Sequence, residues 1–240
     1  MLISCDRHTP QDLEFWNEYV EIDKLHTIPK WKIDQAIESI QEFSNQPFYV
    51  SVSWGKDSIV ALHLVLSLNL NPTVLHMTRG VADNPYTYMV RDQFLSRHLC
   101  DYKEVLGDYN VDINTNKINY KAAWKECCRI AKTTRYVSGI RANESLVRTI
   151  RKKKFGLISK NTCAPLSNWT SNDVFAYLIQ NDLPVHPNYA MLGGGRWDRD
   201  ILRVDRIGGA PGRGGRRDQW EKEYYSTELR KLIKLGDQII

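Results

Sequence analysis

Residues 51–64 read SVSWGKDSIVALHL, and the turn inside this stretch decides the fold. Its left flank, Phe48 to Ser53, is β-branched and aromatic in near alternation, the pattern of a strand. Its right flank, Ile59 to Leu68, is apolar nearly all round, the pattern of a buried helix. Between them lie Trp54, Gly55, Lys56, Asp57 and Ser58. A turn that carries a lysine from a buried strand into a buried helix predicts an anion site. The helix N-terminus there offers unpaired amides and a partial positive charge.

Outward from this turn the chain alternates strand and helix. Toward the N-terminus, Thr9, Pro10 and Asp12 read as the cap, first residue and capping-box acid of one helix, and Lys30 to Phe43 as a second. Toward the C-terminus come NPTVLHMT (strand, ending near Thr78), NPYTYMVRDQFLSRHL (helix), KEVLG (strand), NYKAAWKECCRIAK (helix) and RYVSGI (strand). This order predicts an α/β fold, a parallel sheet with helices on both faces. After residue 160 the rhythm changes. A helix capped by Thr170 with Asp173 is expected, then an extended LPVHPNY, an Arg- and Gly-rich lid and a terminal helix. The expected organisation is 1–45 (N-terminal helices), 46–165 (nucleotide-binding core) and 166–240 (C-terminal extension).

Bulk properties bound the function. With 240 residues, 25% charged and 42% hydrophobic, the chain suits an ordinary globular protein. No apolar run reaches about 18 residues, so no membrane span is expected, and the expected compartment is cytoplasmic. Five cysteines without scaffold spacing predict reduced thiols. The net charge of +5 is modest but unevenly spread. Residues 141–160 hold seven Lys/Arg against one Glu, and residues 196–217 hold seven Arg against three Asp. A basic run is often only a solvated face; both segments could equally meet phosphate or sulfate.

Two common phosphate motifs are excluded. Gly55-Lys56 is followed by Asp57, and the position five before Gly55 is Val50, so the Walker A pattern fails. The dinucleotide fingerprint fails as well. A Ser-x-Gly-Lys-Asp-Ser turn does fit, and each residue has a role there. Gly55 lets the backbone approach phosphates, and Lys56 offsets charge on a departing pyrophosphate. Ser51, Ser53 and Ser58 supply hydroxyls, and Asp57 caps the helix or holds Mg²⁺ through water.

SVSWGKDS resembles the pyrophosphate loop of the ATP pyrophosphatases, usually S-G-G-K-D-S. Further stretches resemble the phosphoadenosine phosphosulfate (PAPS) reductase-like branch of that superfamily. They are CCRIAK, VSGIRANESLVR (with Gly139, Arg141, Glu144, Ser145 and Arg148) and the segment Ala164 to Tyr189. The resemblance covers about residues 47–190. It implies an adenine nucleotide α-hydrolase-like, Rossmann-like fold with ATP and Mg²⁺ as cofactors. The nucleotide's phosphates would lie on Ser51 to Ser58 and its adenine against the main chain of His76 and Met77. Arg141 would act with Lys56, Asp57 and Ser58 in catalysis, while Glu144, Ser145 and Arg148 would face a substrate phosphate or sulfate. Arg141 and Arg148 lie seven apart, on one face if the segment is helical.

The sequence also departs from the family pattern. Trp54 replaces the first loop glycine, and its indole could shield the phosphates or stack on a base. The second strand ends HMTRG rather than Asp-Thr-Gly, with Asp83 a possible replacement acid. Thioredoxin-dependent sulfonucleotide reductases use a cysteine near the C-terminus, and none follows Cys163. Cys127, Cys128 and Cys163 are the candidates for a cluster or a sulfur carrier, though their spacing makes an iron–sulfur cluster unexpected. ATP machinery without the reductase thiol points to α–β cleavage of ATP that activates an acceptor. The relatives nearest in character are the ATP pyrophosphatases of DNA phosphorothioation, with DNA as acceptor and a cysteine desulfurase as sulfur donor. The alternatives are a sulfonucleotide reductase and a non-catalytic nucleotide- or nucleic-acid-binding protein.

Overall fold

A computed structural model describes residues 1–80, 83–107, 111–112, 117–118, 121–200, 202–204, 207–208 and 217–237. The nucleating unit is β1 (Tyr49–Val52), the turn, and α3 (Lys56–Ser67), preceded by α1 (Pro10–Leu25) and α2 (Lys30–Phe43). Then follow β2 (Thr73–Thr78), α4 (Tyr86–Leu95), β3 (Asp101–Leu106), a short pair β4 (Val111–Asp112) and β5 (Lys117–Ile118), and α5 (Lys121–Ala131). The remainder is β6 (Tyr136–Val137), α6 (Leu146–Phe155), β7 (Thr162–Cys163), α7 (Ser171–Gln180), α8 (Arg217–Tyr224) and α9 (Ser226–Asp237).

Five strands form one sheet in the order β3-β2-β1-β6-β7, and every described pairing in it is parallel. The fold is the Rossmann-like α/β class that the alternation predicts. From β1 the chain builds outward through β2 and β3, then returns to β6 on the other side of β1. This reversal creates a crevice at the C-terminal ends of β1 and β6, where open α/β sheets bind ligands.

Two of the predicted strands need adjustment. RYVSGI pairs only over Tyr136 and Val137, because the chain must leave the sheet to pass over α3. Strand β7 was not expected at all; two residues carry no periodicity. The predicted extended LPVHPNY is also only part strand. Val185 bridges Leu2, and Pro187–Ala190 winds into a 3₁₀ turn.

Both predicted capping boxes form. Thr9 accepts from the Asp12 amide at 3.1 Å while Asp12 accepts from the Thr9 amide at 3.1 Å, and Thr170 pairs with Asp173 in the same way. Each acid also ties distant segments together. Asp12 accepts from the amides of Leu192 and Gly194 and the hydroxyl of Tyr224. Asp173 takes His26 at 2.9 Å and Lys32 at 2.5 Å. Burial pushes the Asp173 carboxyl up, but His26, Lys32 and Thr170 outweigh it and hold it down at about 2. The main core joins Trp16, Ile40, Ile59, Phe175, Tyr189 and Trp220, residues from all three expected segments. Among the described residues no helix is long and apolar enough to cross a membrane.

Candidate active site

The turn after β1 is held from both sides. Gly55 occupies the N-cap of α3 without a side-chain cap. The Ser58 hydroxyl accepts from the Ser53 amide at 3.2 Å and donates to the Gly55 carbonyl at 2.9 Å. A Cβ on Gly55 would stand 2.8 Å from Val204 Cγ2, so the approach of that side chain requires glycine. Gly139 is tighter still. A Cβ there would lie 2.4 Å from the carbonyl of Asp57 and 2.6 Å from the Ser58 amide nitrogen. The chain leaving β6 therefore lies directly against the first turn of α3, and only glycine fits.

Trp54 takes a left-handed backbone conformation, φ 57°, where a glycine would sit without strain. Its indole does not shield phosphates or stack on a base. It is fully buried, packed against Phe94 and Tyr102 at centroid distances of 5.8 and 5.4 Å, and its N–H donates to the Tyr102 hydroxyl at 3.3 Å. Core packing holds the turn in a conformation that glycine would reach freely.

Asp57 does not cap the helix either. One carboxylate oxygen lies 3.0 Å from Lys56 Nζ, the other 2.6 Å from Arg141 Nε. Burial raises the Asp57 carboxyl, but Lys56 and Arg141 overcome this and hold it below the usual carboxylate range. Burial likewise works to lower the Lys56 ammonium, and Asp57 reverses it, so the lysine stays charged. Both Asp57 oxygens are engaged by cations, which leaves lone pairs for a metal-bound water but makes no metal site by itself. Among the described residues no three His, Cys, Asp or Glu side chains converge as a metal site.

These groups open into a cleft of about 610 Å³. Ser53, Gly55, Lys56, Asp57, Ser58, Arg141, Glu144 and Arg148 line it, as the motifs lead one to expect. Arg141 and Arg148 do not share a helix face. Arg141 is extended at the start of a 3₁₀ turn over Ala142–Glu144, and Ser145, at φ −161° and ψ 156°, breaks the chain before α6. Glu144 joins them instead, accepting from the Arg141 amide at 3.2 Å and pairing with the Arg148 guanidinium. Ser145 caps α6 through the Arg148 amide at 3.2 Å.

Other expected site residues lie elsewhere. Ser51 pairs with Leu75 inside the sheet. His76 is buried, 3.3 Å from the Tyr102 hydroxyl, and burial holds its imidazole below the usual range. Neither His76 nor Met77 is among the described residues lining the cleft. Asp83 accepts from the Arg79 amide and the Tyr88 hydroxyl, both at 2.9 Å, and so closes a local turn.

The cysteines do not assemble. Cys127 is buried with Tyr49, Leu75 and Val105, whereas Cys163 is buried in the main core. Burial pushes their thiols to about 11 and about 12 and also raises Cys128. Thiols held this high are poor nucleophiles and poor sulfur carriers at neutral pH. None of the five lines the cleft.

Among the described residues of the Arg-rich segment, three arginines are spent on structure. Arg199 makes a bidentate pair with Asp23 at 2.6 and 2.7 Å, buried between Tyr19 and Phe175. Arg196 pairs with Glu223, and Arg217 with Glu221. Arg203 does line the cleft. Arg206, Arg213 and Arg216 fall outside the described residues.

Sequence reasoning missed Tyr189, whose hydroxyl accepts from the Lys56 amide at 3.3 Å and whose ring lies 5.3 Å from Lys56 Nζ. It also missed Asn143, Ser171, Asn172 and the strap through Val204. Asn143, Ser171, Asn172 and Tyr189 fall inside the family stretches, yet no role follows from their spacing; long-range packing brings them to the cleft.

Residues 47–212, more than half of the chain, match the sequence profile of the phosphoadenosine phosphosulfate reductase domain. The chain belongs to that family. Within the PAPS reductase family, similar curated proteins include an adenosine 5'-phosphosulfate reductase of Salinibacter ruber, 24% identical over 57% of this chain and 60% of that protein. Another, with the same name, comes from Lysinibacillus sphaericus and is 26% identical over 62% of this chain and 70% of that protein. This chain thus spans about 60% of the length of the Salinibacter relative. Among solved structures, the PAPS reductase of Candida auris in a phosphate complex is similar at 15% identity and a TM-score of 0.49, covering 70% of this chain and 94% of that one.

Proposed function

We propose that this family member is an ATP pyrophosphatase that activates an acceptor for sulfur transfer. The observation that carries this is the Lys56–Asp57–Arg141 assembly at the N-terminus of α3, in a cleft that none of the chain's cysteines lines. Reduction of a sulfonucleotide through an enzyme thiosulfonate needs a thiol beside the sulfate. Cleavage of ATP needs only cations and amides where charge develops on the leaving pyrophosphate.

In this reading an acceptor oxygen attacks the α-phosphorus. The bond to the bridging oxygen breaks, and pyrophosphate departs against Lys56 Nζ and the first amides of α3. Asp57 holds both cations in place beforehand, and Arg141 faces the α-phosphate. Mg²⁺ would supply further neutralisation of the phosphate charge, with Asp57 able to hold it through water. A sulfur nucleophile delivered by a partner such as a cysteine desulfurase then displaces AMP.

The proposed acceptor is the DNA backbone. Its support is α6 rather than the lid. Arg148, Arg151 and Lys152 to Lys154 leave this helix without a single acid, and it starts at the cleft rim. A second reading, adenosine 5'-phosphosulfate reduction with a thiol from elsewhere, is favoured by the names of the similar proteins.

Pyrophosphate release from ATP and Mg²⁺, with and without duplex DNA, tests the proposal. We expect release that DNA stimulates and that Lys56→Ala lowers by about 100-fold or more. Sulfite from the sulfonucleotide, without ATP turnover, overturns it.

A further inference from the structure

The cleft has a second positive end. Helix α7 begins in its wall, with Thr170, Ser171 and Asn172 all lining it. The Thr170 hydroxyl serves the Asp173 amide, so the amides of Ser171 and Asn172 are first-turn donors that an α-helix leaves without intrahelical partners. A second observation is independent of the helix end. Ser171 is 8% exposed, and its hydroxyl oxygen is buried without any hydrogen-bond partner. A buried hydroxyl left unpaired is costly, a cost that a ligand would remove once the side chain rotates toward it. Arg203 lines the same cleft and is exposed. The acids among the cleft residues are Asp57 and Glu144, both tied up in ion pairs, and Asp200.

We propose that the N-terminus of α7, with the Ser171 hydroxyl and the Arg203 guanidinium, forms a second oxyanion subsite, separate from the turn after β1. It takes a tetrahedral phosphate or sulfate group. This rests on reading the cleft as a nucleotide site, but not on which bond is broken there. Two sources could supply the group: a further anionic group of the bound nucleotide, or a phosphodiester of an acceptor strand.

The test measures binding and does not require turnover. In the Lys56→Ala protein, inorganic phosphate is titrated by calorimetry, then again with Ser171→Ala, Ser171→Pro or Arg203→Ala added. Ser171 is the first residue of α7, and Thr170 before it is extended, at φ −85° and ψ 171°. Proline is therefore tolerated at 171 while it removes both amide and hydroxyl. We expect saturable phosphate binding to survive Lys56→Ala. It should weaken at least fivefold in Ser171→Ala and Arg203→Ala, and further in Ser171→Pro. Melting temperatures of the Ser171 variants should equal or exceed the parent's, because an unpaired buried hydroxyl has gone. Binding that vanishes with Lys56→Ala, or that ignores both Ser171 and Arg203, overturns the proposal. Repeating the titration with adenosine 5'-phosphosulfate and with a short single-stranded oligonucleotide separates the sources. The ligand that loses affinity in Ser171→Pro owns the subsite, and loss for neither overturns it. Failure of ATP cleavage alone would leave these binding results standing.

Discussion

Two buried arginines look alike in burial and in ion-pair distance. Arg141 is 4% exposed and Arg199 is 3% exposed; each holds an aspartate at 2.6 Å. Each comes from a basic stretch that the sequence offered as an anion-binding surface. Yet Arg141 opens into the cleft, while Arg199 is sandwiched between the rings of Tyr19 and Phe175 and ties the strap to α1. Burial and ion pairing do not separate a site arginine from a structural one. The neighbours do: Asp57 also holds Lys56 at a helix N-terminus, whereas Asp23 is spent on Arg199 among aromatic rings.

The contrast can be broken by experiment. The largest effect should come from Arg199→Ala. Removing one partner of a fully buried pair leaves Asp23 charged and alone, at a cost of about 3–5 kcal/mol. Urea unfolding reads this, and a change below about 1 kcal/mol would mean that Arg199 is not structural. Arg141→Ala should invert the pattern. Asp57 keeps Lys56, so the stability loss is smaller than for Arg199→Ala, while pyrophosphate release falls by about 100-fold. Equal stability losses with unchanged activity would erase the distinction.

A third test concerns Asp173, whose cap role the sequence shows but whose ion pairs it does not. Its folded carboxyl sits at about 2 against an ordinary 3.8. The unfolded chain therefore binds more protons between these values. The resulting stability, about 2 kcal/mol, is present above pH 3.8 and lost as the pH falls toward 2. In Asp173→Asn the decline of melting temperature over that window should be shallower; parallel curves would refute the assignment. The smallest effect is expected at Arg196, in the same stretch as Arg199. Its side chain is 66% exposed in its pair with Glu223, so Arg196→Ala should cost under about 1 kcal/mol in the same urea experiment.

Much of the fold was legible because its signals are local. Thr9-Pro10 and Thr170 announced their helices through cap chemistry, and the strand–turn–helix around Gly55 announced the crevice. The missed features share a different physics. From sequence alone Trp54 reads as a loop residue facing a ligand, since nothing nearby in sequence says that Phe94 and Tyr102 will receive its indole. The lid was read as a cationic surface, since the acids that pair with its arginines lie as far away as Asp23. Arg141 and Arg148 were expected on one helix face, but Ser145 caps a new helix between them and Glu144 makes the connection.

By itself, the sequence determined the parallel α/β order and the turn at Ser53 to Ser58. These follow from propensities, caps and spacing, which act over a few residues. Only the tertiary structure decided which charges remain available. A side chain's charge reaches a ligand only if its surroundings leave it open to the cleft, and those surroundings arrive largely from segments far apart in the chain. That is why Asp57 is held between two cations, Arg199 is closed to a polyanion, and the hydroxyl of Ser171 is left without a partner beside the cleft.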